Sequence, residues 1–271
     1  ELSLAPVDGG PAPSWEPGAH VDLHLPGGML RQYSLCGRPG ELDHLRVAVL
    51  REAEGRGGSI HLHDEAAEGD LLEVGGPRNH FALEPAARYL FIAGGIGITP
   101  LIPMMKEAEE ACADWTLLYG GRSRRSMAFL ARLEVDPRVT VVPEDELGLL
   151  DLASALADPE PGTLIYTCGP EPLLKAIEEA SGAWPEGALH LERFKPRDDV
   201  PDGPGTAFKV ELQRSGLTLT VEPGRSILAT VAEAGVEVPS SCEEGTCGTC
   251  ETLVLEGEPE HRDSVLSPAE Q

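Results

Sequence analysis

Hydrophobic and polar positions change their period twice along the 271-residue chain. Between residues 19 and 83 apolar and polar side chains alternate in short runs. His20-Val21-Asp22-Leu23-His24-Leu25 and Leu45-Arg46-Val47-Ala48-Val49-Leu50 are the clearest, and turn residues such as Pro26-Gly27-Gly28 separate them. Period two with glycine and proline punctuation predicts antiparallel sheet or barrel. From residue 88 to about 196 the unit becomes apolar strand, glycine turn, helix. Tyr89-Leu90-Phe91-Ile92-Ala93 runs into Gly94-Gly95-Ile96-Gly97-Ile98-Thr99-Pro100 and then into helical spacing over 101–110. Further strands are predicted at 115–119, 139–142, 163–167 and 188–192, with helices at 128–133 and 150–156. Strands alternating with helices imply a parallel sheet.

The stretch 195–205 is rich in Pro, Asp and Gly and reads as an exposed linker. After it, residues 208–212 and 217–221 flank a turn as a hairpin, and 226–234 has the spacing of a short helix closed by Gly235. The implied division is an antiparallel β region at 1–84, an α/β region at 85–196, a linker at 197–206 and a small α+β region at 207–271.

Charge narrows the function. With 21 Lys and Arg against 46 Asp and Glu the net charge is −25, which argues against nucleic acid and anionic membranes as partners. No apolar run approaches the ~20 residues of a membrane span. Six cysteines are present, and three of them crowd into nine residues. Crowding of that kind indicates ligands rather than disulfides, and a reducing cytoplasm is the expected compartment. The chain opens at Glu1 without an initiator Met, so a processed or clipped start is an open reading.

The crowded cysteines are Cys242, Cys247 and Cys250, a C-x4-C-x2-C spacing. Plant-type 2Fe-2S clusters use it together with a distant fourth cysteine. No cysteine follows Cys250, so the expected fourth ligand lies past Gln271. A zinc site drawing on His261 is the alternative at this spacing. Arg31-Gln32-Tyr33-Ser34 offers a cation for a phosphate, a ring to stack and a hydroxyl for a cofactor edge. Gly55-Arg56-Gly57-Gly58-Ser59 frees backbone N–H groups to cradle a phosphate. His61 and His63 share a face if their stretch is extended, but two histidines make an incomplete metal site. Gly94 to Pro100 is a strand-to-helix turn suited to a pyrophosphate, although it lacks the third glycine of the dinucleotide fingerprint. Cys168-Gly169-Pro170 follows a strand, at the carboxyl edge where parallel sheets bind ligands. Each run is also compatible with an ordinary turn or strand end; their order is the specific signal.

In that order, with Pro77-Arg78-Asn79-His80-Phe81 and Glu192-Arg193-Phe194, the chain resembles the ferredoxin reductase superfamily, in particular the phthalate dioxygenase reductase and vanillate demethylase reductase group. The resemblance implies a multidomain protein: an antiparallel β-barrel flavin domain, an α/β parallel-sheet nucleotide domain and a β-grasp ferredoxin domain. It implies FMN, NADH and a 2Fe-2S cluster as cofactors, with a Rieske-type oxygenase as partner of a monomeric reductase. Arg31, Gly57, Gly58 and Ser59 would hold the flavin phosphate, Tyr33 would stack on the ring, and Ser34 would contact its reactive edge. Ala48 and Val49 would meet the ring through their backbone. Gly95, Gly97 and Thr99 would line the nucleotide site, with Cys168 near the hydride path and Phe194 beside the flavin. Arg122, in Gly121-Arg122-Ser123-Arg124-Arg125, brings positive charge to where a 2′-phosphate lies in NADPH enzymes. The resemblance also implies an earlier barrel strand before Glu1. A flavin diaphorase whose last region only docks a partner, and a redox-sensing binding protein, are the competing functions.

Overall fold

Alternation along residues 20–25 buries Val21, Leu23 and Leu25 on one face of a strand. This strand, β2 (His20–Leu25), lies between β3 (Met29–Ser34) and β5 (Glu73–Arg78), antiparallel to both. Asp22 and His20 on its other face are buried too. Asp22 is satisfied there by the Arg78 guanidinium and by Gln32 Nε2 at 3.1 Å. A second small sheet pairs β1 (Leu2–Leu4) with β4 (Leu45–Val47), and a bridge from Leu35 to Val47 ties β4 to the segment after β3. Trp15, Leu35, Leu45 and Val47 complete one core shared by both sheets. The expected barrel is thus realised, among the described residues, as two antiparallel sheets about one core. β4 stops at Val47, earlier than the alternation suggests, and residues 48–50 run on outside any strand. The stretch carrying His61 and His63 is the helix α1 (Gly58–Asp64), not an extended segment. At a spacing of two on a helix the rings diverge: His61 Nδ1 meets Glu65 and His63 Nε2 meets the Val49 carbonyl.

The next region alternates β6 (Arg88–Gly94), α2 (Ile98–Glu110), β7 (Asp114–Gly121), α3 (Leu130–Leu133), β8 (Val139–Pro143), α4 (Glu144–Leu147), α5 (Leu152–Ala155), β9 (Thr163–Cys168), α6 (Glu171–Ala180) and β10 (Leu189–Glu192). All five strands are parallel, in the order β10-β9-β6-β7-β8. Phe91, Ile92, Ile165 and Tyr166 are fully buried at its centre, as expected of a sheet covered on both faces. Helix packing buries Ile98, Leu101, Met104 and Ala108 of α2 against one face.

The structure is a computed structural model describing residues 1–196 and 205–266, and it divides into a unit at Glu1–Phe194 and another at Lys195–Gln271. In the second, β11 (Phe208–Leu212) and β12 (Leu217–Val221) form the predicted hairpin. Helix α7 (Ile227–Glu233) follows, its first turn capped by Ser226, whose Oγ accepts from Ala229 N at 3.0 Å. This is the hairpin and helix of the expected α+β region; residues 238–266 form no further regular element. The linker expected at 197–206 lies mostly outside the described residues.

Candidate active site

Numbered within the parallel sheet, the strands run 5-4-1-2-3, so the winding reverses between β6 and β9. Open parallel sheets bind ligands outside the carboxyl ends of their strands at such a reversal. Gly94 ends β6 and Cys168 ends β9, and the two strands are neighbours in register, Ala93 opposite Cys168. Gly97 packs so closely that a Cβ built on it stands 2.3 Å from the Cys168 carbonyl oxygen. Gly95 takes φ +55°, and the Tyr119 hydroxyl is shared between the carbonyls of Gly95 and Ala128, 3.0 Å from each. Thr99 is buried and donates to Ile96 O at 3.0 Å, so it supports this turn from within. Gly97→Ala is expected to cost about 1–3 kcal/mol of stability through overpacking and to weaken nucleotide binding. Denaturant midpoints and a nucleotide titration check this, and an unchanged pair of values would refute it.

Three side chains from three strands converge on the crevice. Ser34 is the buried last residue of β3. Glu192, the last residue of β10, lies directly opposite Cys168 in register. The Ser34 hydroxyl and the Cys168 thiol hydrogen-bond to the Glu192 carboxyl. Its other oxygen, Oε2, is shielded from solvent and has no hydrogen-bond partner among the described residues. Burial outweighs those hydrogen bonds and pushes the Glu192 pKa up to about 8. Burial, helped by the nearby Glu192 carboxyl, also raises Cys168 well above an ordinary thiol, so it is an uncharged thiol rather than a nucleophile. Glu192 is the residue to which sequence reasoning gave no role, although it stands inside the quoted Glu192-Arg193-Phe194 run.

Arg193 fixes Glu192 in place. Its side chain is only 5% exposed and reaches α6, with Nε 2.9 Å from Glu171 and Nη2 2.8 Å from Glu178. Because α6 starts just after Cys168-Gly169-Pro170, this clamp joins the Glu192 strand to the Cys168 turn. Arg193→Ala leaves carboxylates without their buried partner and is expected to cost about 3 kcal/mol. Chemical denaturation checks this; a loss under about 1 kcal/mol would mean the clamp contributes little.

Most of the residues expected around a flavin lie on β3, on the segment after β4 and at the start of α1. Arg31 is pinned, with Nη1 2.7 Å from Leu30 O and Nη2 2.6 Å from Arg56 O. Gly58 lets it lie close, since a Cβ there meets Arg31 Cγ at 2.6 Å. Gly57 is left-handed at φ +85°, and Ser59 Oγ accepts from Glu52 N at 3.1 Å. Tyr33 is partly buried, which raises its phenol above the usual value. Ala48 and Val49 are half-buried in irregular backbone, with the Val49 carbonyl already taken by His63 at 2.8 Å. Phe194 is 41% exposed at the end of the first unit. Arg122 is exposed beyond β7. The orphan Glu192 Oε2 and the glycine cradle at Gly57 and Gly58 fit a flat cofactor carrying a phosphate.

In the second unit the cluster loop holds Cys242, Cys247 and Cys250. Glu243, Gly245 and Gly248 adopt φ of +57°, +69° and +68°, turning backbone inward. The N–H groups of Glu244 and Thr246 point at Cys242 Sγ, 3.4 Å each, and Thr249 Oγ1 lies 3.1 Å from Cys247 Sγ. The hydrogen bond between the Cys242 and Cys247 sulfurs raises the one thiol and lowers the other. Among the described residues no three His, Cys, Asp or Glu side chains are gathered tightly enough to hold a single metal ion. N–H groups aimed at sulfur on a C-x4-C-x2-C loop suit thiolates of a 2Fe-2S cluster, which these three residues would hold.

Residues 210–271 match the family described as "2Fe-2S iron-sulfur cluster binding domain". The chain is 46% identical over 270 residues to the phenoxybenzoate dioxygenase subunit beta of Ectopseudomonas oleovorans, covering 98% of this chain and 84% of that one. It is 38% identical to the phthalate dioxygenase reductase of Burkholderia cepacia, covering 100% and 86%. The chain belongs to the phthalate dioxygenase reductase family. A solved phthalate dioxygenase reductase, described as a modular structure for electron transfer from pyridine nucleotides to [2Fe-2S], superposes with a TM-score of 0.74 at 36% identity over 98% of this chain and 85% of that one. A type IV self-sufficient cytochrome P450 monooxygenase gives 0.90 at 47% identity over 99% of this chain. The present chain spans 35% of that protein's length. As a member of this family the protein is a flavin-dependent, iron-sulfur oxidoreductase of the kind that serves oxygenase systems. No helix among the described residues is long and apolar enough to cross a membrane.

Proposed function

We propose that the chain takes hydride from a reduced pyridine nucleotide onto FMN and delivers single electrons to a Rieske-type oxygenase, as a monomeric cytoplasmic reductase. The observation that carries this reading is the convergence of Ser34, Cys168 and Glu192 at the sheet reversal, beside the Arg31, Gly57, Gly58 and Ser59 cradle. A bound flavin and 2Fe-2S cluster supply the change from two-electron to one-electron chemistry. The chain's residues supply binding, orientation and a controlled proton. Arg31 and the glycine N–H groups meet a phosphate. The closure of the 55–59 loop by the Arg31 to Arg56 bond favours the terminal phosphate of FMN over the longer diphosphate of FAD. Tyr33 offers its ring and Ser34 its hydroxyl. Glu192, held neutral below about pH 8, places a proton rather than a negative charge where hydride arrives. Cys168 packs there without charge. NADH is the donor, with Gly95 and Gly97 under its pyrophosphate.

Stopped-flow bleaching of the flavin by reduced nucleotide, with extraction and identification of the flavin, tests this reading. Absence of bleaching would leave only a redox-sensing binding protein. A haem oxygenase as electron acceptor is the second reading, supported by the TM-score of 0.90 to the self-sufficient P450 against 0.74 to the dioxygenase reductase. Comparing electron delivery to a purified Rieske oxygenase and to a P450 haem domain separates the two.

A further inference from the structure

We propose that Asp263 is a positioning residue for the 2Fe-2S cluster: it aims the peptide N–H of Thr246 at the Cys242 sulfur and thereby raises the cluster's reduction potential. Hydrogen bonds to the sulfurs of such a cluster set its potential, because they stabilise the extra negative charge of the reduced state. At Cys242 the donors are backbone groups, the N–H of Glu244 and of Thr246, each 3.4 Å from Sγ. Their aim is therefore fixed by whatever holds the backbone of the loop. The Thr246 N–H shares its peptide plane with the Gly245 carbonyl, and in a trans peptide the two point in opposite directions. Aiming the N–H at sulfur turns the Gly245 carbonyl outward. There it accepts from Ser264 N at 2.8 Å.

Ser264 keeps that direction because Asp263 organises the turn around it. One carboxylate oxygen, Asp263 Oδ2, accepts from Val265 N at 3.1 Å and from Leu266 N at 2.7 Å. The other, Oδ1, lies 3.5 Å from His261 Nδ1, which engages the histidine that the sequence offered as a zinc ligand. A short carboxylate side chain that ties the two N–H groups beyond Ser264 holds the intervening backbone in one conformation. The turn also packs directly on the loop. Gly245 takes φ +69°, and a Cβ built on it stands 3.3 Å from the Asp263 Cα. The Ser264 hydroxyl has no hydrogen-bond partner among the described residues, so Ser264 acts on the loop through its backbone. From the Ser264 N–H, through the Gly245–Thr246 peptide, to the Cys242 sulfur, each hydrogen bond polarises the next. Groups that orient metal ligands from outside tune a centre without touching it. Asp263 also carries a negative charge, and by Coulomb repulsion alone that charge lowers the potential. The two effects have opposite signs, so substitution separates them. This role needs the cluster on its cysteines and is independent of which nucleotide reduces the flavin.

The test is a redox titration of the cluster-loaded protein with dithionite, followed by the EPR signal of the reduced cluster and using no nucleotide. Asp263→Ala is expected to lower the equilibrium constant for cluster reduction about tenfold, which is about 59 mV for a one-electron couple, although it removes a negative charge. Asp263→Asn keeps an acceptor for the turn and loses the charge, so its potential should equal or exceed the wild-type value. Asp263→Glu keeps the charge and displaces the acceptor by one methylene. Its potential should fall as in Asp263→Ala, and it decides the matter if Asp263→Ala assembles no cluster. Hydrogen exchange over residues 242–250, read by mass spectrometry, should quicken about tenfold in Asp263→Ala and Asp263→Glu, where the loop opens locally, and stay unchanged in Asp263→Asn. A potential that is level or raised in Asp263→Ala, or that falls equally in Asp263→Asn, overturns the proposal. So does Asp263→Glu with wild-type potential and wild-type exchange.

Discussion

Cys247→Ser is expected to abolish reduction of cytochrome c by pyridine nucleotide in a polypeptide that assembles the cluster. Ferricyanide, which takes electrons directly from the flavin, should still be reduced. Cys247 is the most enclosed of the three loop thiols, 2% exposed, and its sulfur is contacted by Thr249 and by Cys242. Serine keeps the shape but removes the soft thiolate that iron selects. The loss should reach the background of the assay, accompanied by loss of the cluster's visible absorption. Cytochrome c reduction unchanged in the variant would sink the relay through the second unit and favour a diaphorase.

Glu192→Gln is expected to slow flavin reduction by about 10²-fold, the usual contribution of a positioned proton donor or acceptor. The pH dependence distinguishes this from a packing defect. With the carboxyl raised to about 8, the wild-type rate should be level at neutral pH and fall as the pH passes through about 8, where the neutral form is lost. The glutamine variant should lack that fall. Stability provides a second check with a defined sign. A carboxyl whose folded pKa exceeds its unfolded value binds more protons in the folded state, so stability declines as pH rises from the ordinary carboxylate range to about 8. Glu192→Gln in the flavin-free protein should remove that decline. A variant with wild-type rate and wild-type pH profile would show that Glu192 plays no part in the chemistry.

The elements with strong periodicity were legible in the sequence, and the exceptions share a cause. β2 follows its apolar pattern almost residue for residue because it buries a face that only one register can bury, and β6 because a strand covered on both faces takes a continuous apolar run. Residues 48–50 continue the alternation of β4 but lack a strand partner, and pattern alone does not reveal that. Helix α1 is seven residues long and starts Gly58-Ser59, too short and too polar for a 3.6-residue period to show. The α+β region was legible as hairpin, helix and cysteine loop, because the ligand spacing is local. The site divides in the same way. The glycine turns, Arg31 and the three cysteines announce themselves by local motif. Glu192 does not, because its importance comes from Ser34 and Cys168, which the fold brings to it from β3 and β9. A single Glu at a strand end has no period and no spacing to mark it.

The contact of Gly97 with the Cys168 carbonyl has a consequence for how the protein spends binding energy. Gly94 and Gly169 also meet with no side chain between them, a Cβ on Gly169 lying 3.0 Å from the Gly94 Cα. Backbone packed on backbone gives the two turns no independent way to open, so they belong to one cooperative unit. Their amides should exchange with solvent only on near-global unfolding. A nucleotide bound against these turns would therefore meet a surface already ordered before it arrives. Little of its affinity would be lost to ordering the protein.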